Sequence, residues 1–337
     1  MRTFAISLSL LLAACASPPR PSAEPSALYS YRLSLKLQVT PSAQDLLRVQ
    51  VPIPSTGEFQ EVGPLLLQGK GTRIHDKLDP QGNRFAEIRP GVGGTELRAS
   101  LQTTVRRYRI PGHPRVRPSG QTPAHYLLPV QLDKSDERHL GRFVLRLVGG
   151  EPNSYLKARI LFDALRNDFV LRPFDPEKAP RPLPRVFESR SGSAYELAAT
   201  YCILLRMAGV PARCVLGYRM RSEVGNPLPT AWVQFYISGV GWLPADIEGA
   251  RLDPSRASAF FGGLDEYRVR VHILCRPEEV RGPVPMVPRV LVGPKEVLPD
   301  WSLDIRKAEP KGPSAKLRIQ AQAETQPKSQ KPAQSQK

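Results

Sequence analysis

The sequence predicts an α+β protein with an N-terminal antiparallel β-sandwich-like domain followed by a second, mixed α+β domain. Two observations carry this prediction. From residue 28 to residue 108, apolar and polar residues alternate in several short runs, which is the period of half-buried strands. From residue 190 to residue 249, a run with helical spacing is followed by two runs of strand type. We expect the first domain at residues 28–118 and the second at residues 119–303, in a chain of 337 residues that is long enough for both.

Residues 1–14 are typical of a secretory signal peptide. Arg2 is followed by an apolar run from Phe4 to Ala14, which is too short to span a bilayer as a helix. The four residues that end in Cys15 resemble a bacterial lipobox, and this resemblance implies cleavage before Cys15 and lipidation of its sulfur. Because Ala16 is not the aspartate that retains lipoproteins at the inner membrane, we expect an outer-membrane anchor that faces the periplasm or the cell surface. An ordinary signal peptide with an incidental cysteine is the alternative.

Four strands are predicted in the first domain, which follows a flexible tether rich in Pro, Ser and Ala at residues 15–27. Their apolar positions are Tyr29, Tyr31, Leu33, Leu35, Leu37 and Val39; Leu47, Val49, Val51 and Ile53; Phe85 to Ile88; and Leu97 to Tyr108. No catalytic constellation appears in this domain. The site is therefore expected in the second domain.

A central helix is predicted over residues 194–208. Ser193 and Glu196 form a capping-box signal, because each side chain can satisfy the other's free backbone N–H at a helix start. Gly209 and Pro211 then end the helix. The apolar residues between these limits recur at helical spacing and are Ala194, Leu197, Ala198, Tyr201, Leu205 and Ala208. The other elements predicted in this domain are a helix at residues 155–169 and strands at residues 212–220, 231–237 and 269–274.

This order of elements resembles the transglutaminase-like superfamily, which belongs to the papain-like cysteine enzymes. In that family a helix opens with Gly-x-Cys-x-Glu-Phe-Ala and continues to Arg-x-x-Gly-Ile-Pro-Ala-Arg-x-x-x-Gly-Tyr, after which His-Ala-Trp and Gly-Trp-x-x-x-Asp follow. The residues of this chain that fall on the pattern are Gly192, Glu196, Ala198, Arg206, Gly209, Pro211, Ala212, Arg213, Gly217, Tyr218, Ala231, Trp232, Gly241, Trp242 and Asp246. The resemblance covers residues 28–301 and implies a transglutaminase-like, papain-like fold for the second domain.

Two of the three catalytic residues that the resemblance implies are absent. Ala194 stands where the family has its nucleophilic cysteine, Thr230 stands where it has histidine, and the orienting acid is present as Asp246. A methyl group cannot attack a carbonyl, and a threonine hydroxyl cannot take up a proton near neutral pH. The sequence therefore predicts a degenerate, catalytically inactive member in which Asp246 accepts a hydrogen bond from Thr230 or Trp242. The residues expected to line the vestigial cleft are Ser193, Trp232, Trp242 and Asp246.

A displaced nucleophile is the alternative. Cys202 lies eight residues beyond Ala194 on the same helix, which places it about 12 Å further along the axis, and Ser193 is explained by its capping role. Two functions stay open on this basis. One is a non-catalytic binding or scaffolding lipoprotein of the bacterial cell envelope, and the other is an envelope peptidase or acyltransferase that uses Ser193 or Cys202.

The chain is strongly basic, with 48 Lys and Arg against 31 Asp and Glu and a formal charge of +17. We expect residues 304–337, which contain few apolar side chains and much Gln, Lys, Pro and Ser, to form a disordered basic tail. In an exported protein the charge favours a protein or an anionic envelope polymer as partner, in addition to the membrane reached through Cys15. A generally basic proteome would explain the same charge. No zinc-finger spacing, basic helix or aromatic platform indicates nucleic-acid binding.

The sequence indicates no cofactor and no metal. It contains no Walker loop or dinucleotide fingerprint, and its cysteine spacing does not match a metal site. After Cys15 three cysteines remain, Cys202, Cys214 and Cys275, and an odd number leaves at least one thiol unpaired. A disulfide between Cys202 and Cys214 and buried free thiols are both open.

Overall fold

A computed structural model describes residues 24–37, 47–69, 73–89, 95–109, 123–127, 131–220, 227–292, 295–297 and 299–308 of the protein. The predicted signal peptide at residues 1–14, the predicted lipidation site Cys15 and residues 309–337 of the predicted tail lie outside the described residues. Within the described ranges, no helix is both long and apolar enough to cross a membrane.

The protein is a mixed α and β structure whose sheets are mainly antiparallel, as predicted. Its strands are β1 (Glu24–Leu37), β2 (Leu47–Ile53), β3 (Gln60–Val62), β4 (Leu66–Gly69), β5 (Arg73–Leu78), β6 (Arg84–Arg89), β7 (Thr95–Arg109), β8 (Val170–Arg172), β9 (Ser191–Ser193), β10 (Ala212–Arg219), β11 (Leu228–Ile237), β12 (Gly241–Ala245), β13 (Gly263–Leu264), β14 (Arg268–Leu274), β15 (Arg289–Val292), β16 (Lys295–Val297) and β17 (Asp300–Lys307). Its helices are α1 (Lys134–Val148), α2 (Ser154–Asp168), α3 (Leu183–Glu188), α4 (Ala194–Met207) and α5 (Ile247–Leu252), with short 3₁₀ turns at Ala124–Leu127, Pro254–Phe260 and Pro277–Glu279.

The N-terminal part contains two antiparallel sheets. One has the order β13-β7-β1-β17, with β3 and β4 also paired to β7, and the other has the order β16-β15-β2-β6-β5. The alternation seen in the sequence decides which side chains are buried: Tyr29, Tyr31, Leu33 and Leu35 of β1 are at most 2% exposed. The four predicted strands correspond to β1, β2, β6 and β7. The short strands β3, β4 and β5 lacked a clear alternating pattern and were not predicted.

The structure corrects two predicted boundaries. Strand β1 begins at Glu24, inside the stretch predicted as tether at residues 15–27. Strand β17 covers residues that were predicted to belong partly to the disordered tail at 304–337, and Ile305 is only 1% exposed. Strands β15, β16 and β17 are part of the N-terminal sheets. The chain from Arg289 onward therefore belongs to the first domain, although residues 119–303 were predicted to form the second. The reason is non-local pairing, because β17 lies antiparallel along β1 from Tyr29 opposite Lys307 to Lys36 opposite Asp300.

The second part is organised around α4, which packs on a four-stranded sheet of order β12-β11-β10-β14. Every residue from Ala194 to Arg206 is buried, and a helix that is buried all round is a core helix. Its polar side chains are satisfied internally. The Tyr201 hydroxyl donates to the Ala158 carbonyl at 2.8 Å, and the Arg206 guanidinium donates to the Ala212 carbonyl at 2.7 Å and 3.0 Å. The family motif around Arg206 therefore ties the helix to the first strand that follows it.

Two glycines of the motif are required by the backbone. Gly209 ends α4 with a φ of +79°, the left-handed region that glycine adopts without a steric penalty. Gly217 in β10 lies so close to β14 that a Cβ atom would stand 2.1 Å from the Val269 carbonyl oxygen. The motif glycines thus fix the helix end and the close approach of two strands.

Two buried side-chain amides connect the N-terminal part to β14, which is the edge strand of the four-stranded sheet. Gln60 donates to the Arg270 carbonyl at 2.9 Å and accepts from the Arg270 N–H at 2.8 Å. Asn83 makes the same pair of bonds with Ile273, at 2.8 Å and 2.6 Å. Because the free backbone groups of an edge strand invite pairing with other chains, these amides protect the edge as well as joining the two parts.

Candidate functional site

The tip of α4 carries the first of the three catalytic positions. Ala194 is the first residue of the helix and is 2% exposed, so its methyl group is enclosed by the core. The predicted capping box is confirmed: Ser193 Oγ accepts the Glu196 N–H at 3.3 Å, and Glu196 Oε2 accepts the Ser193 N–H at 2.9 Å. The helix tip is therefore well capped, and the Ser193 hydroxyl is engaged in that role.

Glu196 also fixes the preceding loop to the helix tip. The Arg181 N–H donates to Glu196 Oε1 at 2.7 Å, and the Arg181 guanidinium pairs with Oε2 at 3.0 Å. Burial acts to raise the pKa of Glu196, but the hydrogen bonds from Arg181 and from the Ser193 backbone outweigh it and leave the pKa lowered. Glu196 is therefore a carboxylate at neutral pH that holds loop and helix together.

The second position, Thr230 in β11, is fully buried. Its hydroxyl donates to Glu248 Oε2 at 2.5 Å, and the Arg219 Nε lies 3.7 Å from the same oxygen. Burial raises the pKa of Glu248, and the neighbouring charge of Asp246 raises it further. The prediction was that Asp246 accepts a hydrogen bond from Thr230 or Trp242. Glu248 takes the Thr230 bond instead, and among the described residues the hydrogen bond that Asp246 accepts comes from the Gly249 N–H.

The third position, Asp246, is a structural carboxylate. It is the N-cap of α5, where Oδ1 accepts the Gly249 N–H at 2.8 Å, and its Oδ2 lies 2.5 Å from Arg268 Nε. The side chains of Asp246 and Arg268 are 0% and 1% exposed, and Arg268 also pairs with Asp265. Burial acts to lower the pKa of Arg268, but these two carboxylates outweigh it and the pKa is raised. Asp246 is thus a carboxylate paired with a permanent cation.

The two tryptophans predicted in the cleft lie apart. Trp232 is 2% exposed and stands opposite Val215 of β10, and within the described part of the chain its indole N–H has no hydrogen-bond partner. Trp242 of β12 stands opposite Tyr236 of β11. Tyr236 is four residues after Trp232 in the same strand, so the two tryptophans are separated by about 13 Å along the strand direction. The Arg213 guanidinium covers the Trp242 ring at 4.0 Å from its centroid. Trp242 is therefore part of a partly exposed stacked group, and Trp232 is part of the core.

A comparison with known protein families finds a match in the same segment of the chain. The family model of the transglutaminase-like superfamily matches residues 141–247, the segment that holds α4, β10, β11 and Asp246. The chain carries a transglutaminase-like domain.

One solved structure supports the fold of the transglutaminase-like domain and its β-rich neighbour. The chain is similar to a candidate cysteine protease from Cytophaga hutchinsonii at 15% identity and a TM-score of 0.58, over 85% of this chain and 92% of that chain. It also aligns with the periplasmic domain of TgpA from Pseudomonas aeruginosa at 17% identity and a TM-score of 0.37, over 72% and 97% of the two chains. Red sea bream transglutaminase aligns at 12% identity and a TM-score of 0.24, over 64% and 48%. Only the first of these scores is high enough to show a shared fold. A comparison with curated protein sequences gives no match.

The cysteines of the transglutaminase-like domain are free thiols rather than a disulfide. Cys202 and Cys214 are completely buried, and burial raises the pKa of Cys202 to about 12. Burial also raises the pKa of the partly exposed Cys275. Because the thiolate is the reactive form, none of these three thiols is activated at neutral pH. Ser193 is likewise bonded as a cap, and no histidine in the described ranges forms a hydrogen bond with it.

The transglutaminase-like domain has a cavity of about 460 Å³ beside the tip of α4. This volume lies within the range of about 300–1,000 Å³ that is typical of small-ligand sites. The cavity is lined by the side of the helix that bears Tyr195, Glu196 and Ala199, and by three segments at residues 131–136, 180–184 and 277–281, which include the first turns of α1 and α3. None of the four predicted cleft residues lines this cavity. This cavity was not predicted from the sequence, because the three segments carry no motif. They are far apart in the chain and come together only in the tertiary structure.

The partners of Thr230 and Asp246 were also not predicted from the sequence. Glu248 follows Asp246 by two residues, and Arg268 comes from β14, so neither belongs to the family motif. Arg268 could have been suspected from its place next to the predicted buried strand at residues 269–274, since a buried arginine requires a carboxylate. Which carboxylate it meets depends on the tertiary structure.

Proposed function

We propose that this protein is a non-catalytic binding or scaffolding component of the bacterial cell envelope, held at the membrane by a lipid on Cys15. It uses the transglutaminase-like domain as a frame for binding and not for acyl transfer. The observation that carries the proposal is the state of the three catalytic positions: Ala194 has no reactive atom, Thr230 is bonded to Glu248, and Asp246 is paired with Arg268. Covalent catalysis needs a nucleophile within reach of a base, and neither is present at these positions.

The cavity beside α4 supports a binding role for this part of the domain. Its volume of about 460 Å³ lies within the range of ligand sites. Its walls combine proline and apolar side chains with six charged residues, which are Asp133, Asp136, Arg181, Glu196, Glu278 and Arg281. A cavity of this kind takes up a short peptide segment of a protein partner through backbone contacts and shape. Such binding does not depend on the lost thiol.

We expect the purified full chain to show no turnover with a broad panel of peptides, whether cleavage or cross-linking is measured by mass spectrometry. The double variant Ala194→Cys with Thr230→His should also stay inactive, because the restored histidine would find Asp246 already paired with Arg268 at 2.5 Å. Turnover by the natural chain that is abolished by Ser193→Ala or Cys202→Ala would contradict the proposal and identify a displaced nucleophile. The variant Cys275→Ala is the matched control for the loss of a thiol.

The lipid anchor is tested separately. Expression in a bacterial host with a labelled fatty acid should give a labelled protein that fractionates with membranes, and Cys15→Ser should abolish both the label and the membrane fraction. Ser17→Ala, two residues away, is the control and should change neither. A natural chain that is exported without a label would refute the anchor and leave the binding role untouched.

A further inference from the structure

A second cavity of about 340 Å³ lies along α1, further toward the C-terminal end of the helix than the cavity described above, which Asp133 and Asp136 line at the start of α1. Its lining consists of His139, Arg142, Phe143, Arg146, Phe187 and Arg190. Three of these six side chains are guanidinium groups, and no acidic residue is among them. The cavity is therefore a small, positively charged pocket with an aromatic floor.

Helix α1 supplies one wall of this pocket. His139, Arg142, Phe143 and Arg146 follow the spacing i, i+3, i+4 and i+7, which places them on one helix face. Phe143 is 6% exposed and anchors the face to the core, whereas Arg142 and Arg146 are exposed to solvent. The guanidinium groups are therefore accessible to a dissolved anion.

Arg190 supplies the other wall from the turn between α3 and β9. Its backbone is left-handed at a φ of 47°, and it is the only described residue other than glycine with a positive φ. The conformation is held by a hydrogen bond from the Val170 N–H to the Arg190 carbonyl at 2.7 Å. Its guanidinium lies 4.9 Å from the Phe187 ring centroid and 5.2 Å from that of Phe169. Strained residues are retained where they place a functional group, and here the strain fixes a cation at the pocket wall.

The three arginines lack a counter-charge. Within the part of the chain that the structure describes, none of Arg142, Arg146 and Arg190 forms an ion pair with a carboxylate. The buried arginines Arg213 and Arg268 of the same domain, by contrast, are paired with carboxylates. Three like charges around one small cavity repel each other, and an anion placed between them would remove that repulsion.

We propose that this pocket binds a phosphoryl group. The planar guanidinium fork matches phosphate oxygens in pairs, and a phosphate monoester carries about −1.5 to −2 charges near neutral pH, enough to balance several arginines. The group is either a free phosphate or phosphate monoester, or the phosphodiester of an anionic lipid headgroup. This inference is independent of the proposed function, since an enzymatically active protein could bind phosphate at the same pocket.

The test is isothermal titration calorimetry of the full chain at low ionic strength. The probes are inorganic phosphate, glycerol 3-phosphate, and glycerophosphoglycerol as the water-soluble form of a lipid phosphodiester. We expect saturable binding of at least one of the three, and Arg142→Gln and Arg146→Gln should each weaken it about tenfold, the scale of a lost charged hydrogen bond. The preferred probe then distinguishes a free phosphate from a headgroup.

The control is Arg32→Gln, which removes the same charge from an exposed arginine of strand β1 and should leave the affinity unchanged. Arg190→Gly tests the third cation with a residue that adopts a φ of 47° freely, and it should weaken binding while circular dichroism stays unchanged. The proposal is overturned if none of the three probes binds, if acetate binds as tightly as phosphate, or if Arg32→Gln weakens binding as much as the pocket variants. The two helix variants decide the matter even if Arg190→Gly fails to fold.

Discussion

The variant Arg268→Gln is expected to lower the free energy of unfolding by about 3–5 kcal/mol, the cost of leaving a buried charge without its partner. Asp246 is 0% exposed, and Arg268 Nε at 2.5 Å is its cation. After the substitution Asp246 keeps only the N–H of Gly249, so its charge stays in the interior with one hydrogen bond. The measurement is urea unfolding of the full chain at neutral pH.

The expected behaviour of Asp246 separates a structural acid from a catalytic one. Asp246→Asn keeps an oxygen that can accept the Gly249 N–H, and Arg268 keeps Asp265 as its partner, so this variant should lose less stability than Arg268→Gln. Adding Asp246→Asn to Arg268→Gln should recover part of the loss, because the unpaired charge is then gone. A double variant as unstable as the sum of the two single variants would show that the pair is not coupled.

An exposed ion pair beside the same aromatic ring serves as the control. Arg256 lies over Phe260, as Arg268 does, and pairs with Asp253 at 3.7 Å, but its side chain is 51% exposed. Arg256→Gln should therefore change stability by less than about 1 kcal/mol. Equal losses for Arg256→Gln and Arg268→Gln would mean that burial does not set the strength of the inner pair.

The fold itself requires Asp246, although Ala194 and Thr230 stand at the other two positions that the family resemblance makes catalytic. In this chain Asp246 caps α5 and pairs with Arg268, so its loss would damage the fold whether or not a reaction takes place. Ala194 and Thr230 are less constrained, because Ala194 needs only a small side chain that fits its buried place and Thr230 makes a single side-chain bond, to Glu248. Retention of Asp246 is therefore explained by stability alone.

The sequence predicted the parts of the fold that depend on local pattern. The capping box of Ser193 and Glu196, the helix that follows it and the strand pair β10 and β11 all lie within two or three residues of their predicted bounds. Each is specified by spacing and by end signals within one short segment. The apolar residues of α4 could be predicted as core residues for the same reason, because their helical spacing lies within that segment.

The sequence did not predict features that depend on distant segments. The bond from Thr230 to Glu248 and the pair of Asp246 with Arg268 join residues on different elements, and several acceptors of suitable chemistry were open to each of them. The arginine pocket joins α1 to a turn that lies about 40 residues further along the chain, between α3 and β9. Such sites are specified by tertiary contacts and not by any motif.

A second large effect is expected from the C-terminal strand, whose return to β1 was the largest departure from the predicted domain boundaries. A chain that ends at residue 298 loses β17, in which Ile305 is 1% exposed and Trp301 donates to Glu177 at 2.9 Å. Burial of one large aliphatic side chain contributes about 1.5–3 kcal/mol, so the loss of Ile305 together with two partly buried neighbours should exceed about 4 kcal/mol. We expect this truncated chain to unfold at a much lower urea concentration or to aggregate.

Aggregation follows from what the truncation uncovers. β17 is the edge strand that covers β1, a strand of 14 residues, and removing it turns β1 into a long exposed edge with free backbone groups. A chain that ends at Ala308 is the matched control: it keeps every pairing of β17, including the Ala308 N–H to the Leu28 carbonyl at 2.8 Å, and should be as stable as the full chain. The point variants Ile305→Ser and Arg306→Ser both keep the backbone pairing of β17, but only Ile305→Ser removes a buried side chain. A loss of stability in Ile305→Ser alone would therefore be due to the burial of Ile305. If the chain that ends at residue 298 were as stable and soluble as the one that ends at Ala308, β17 would not be part of the folded core.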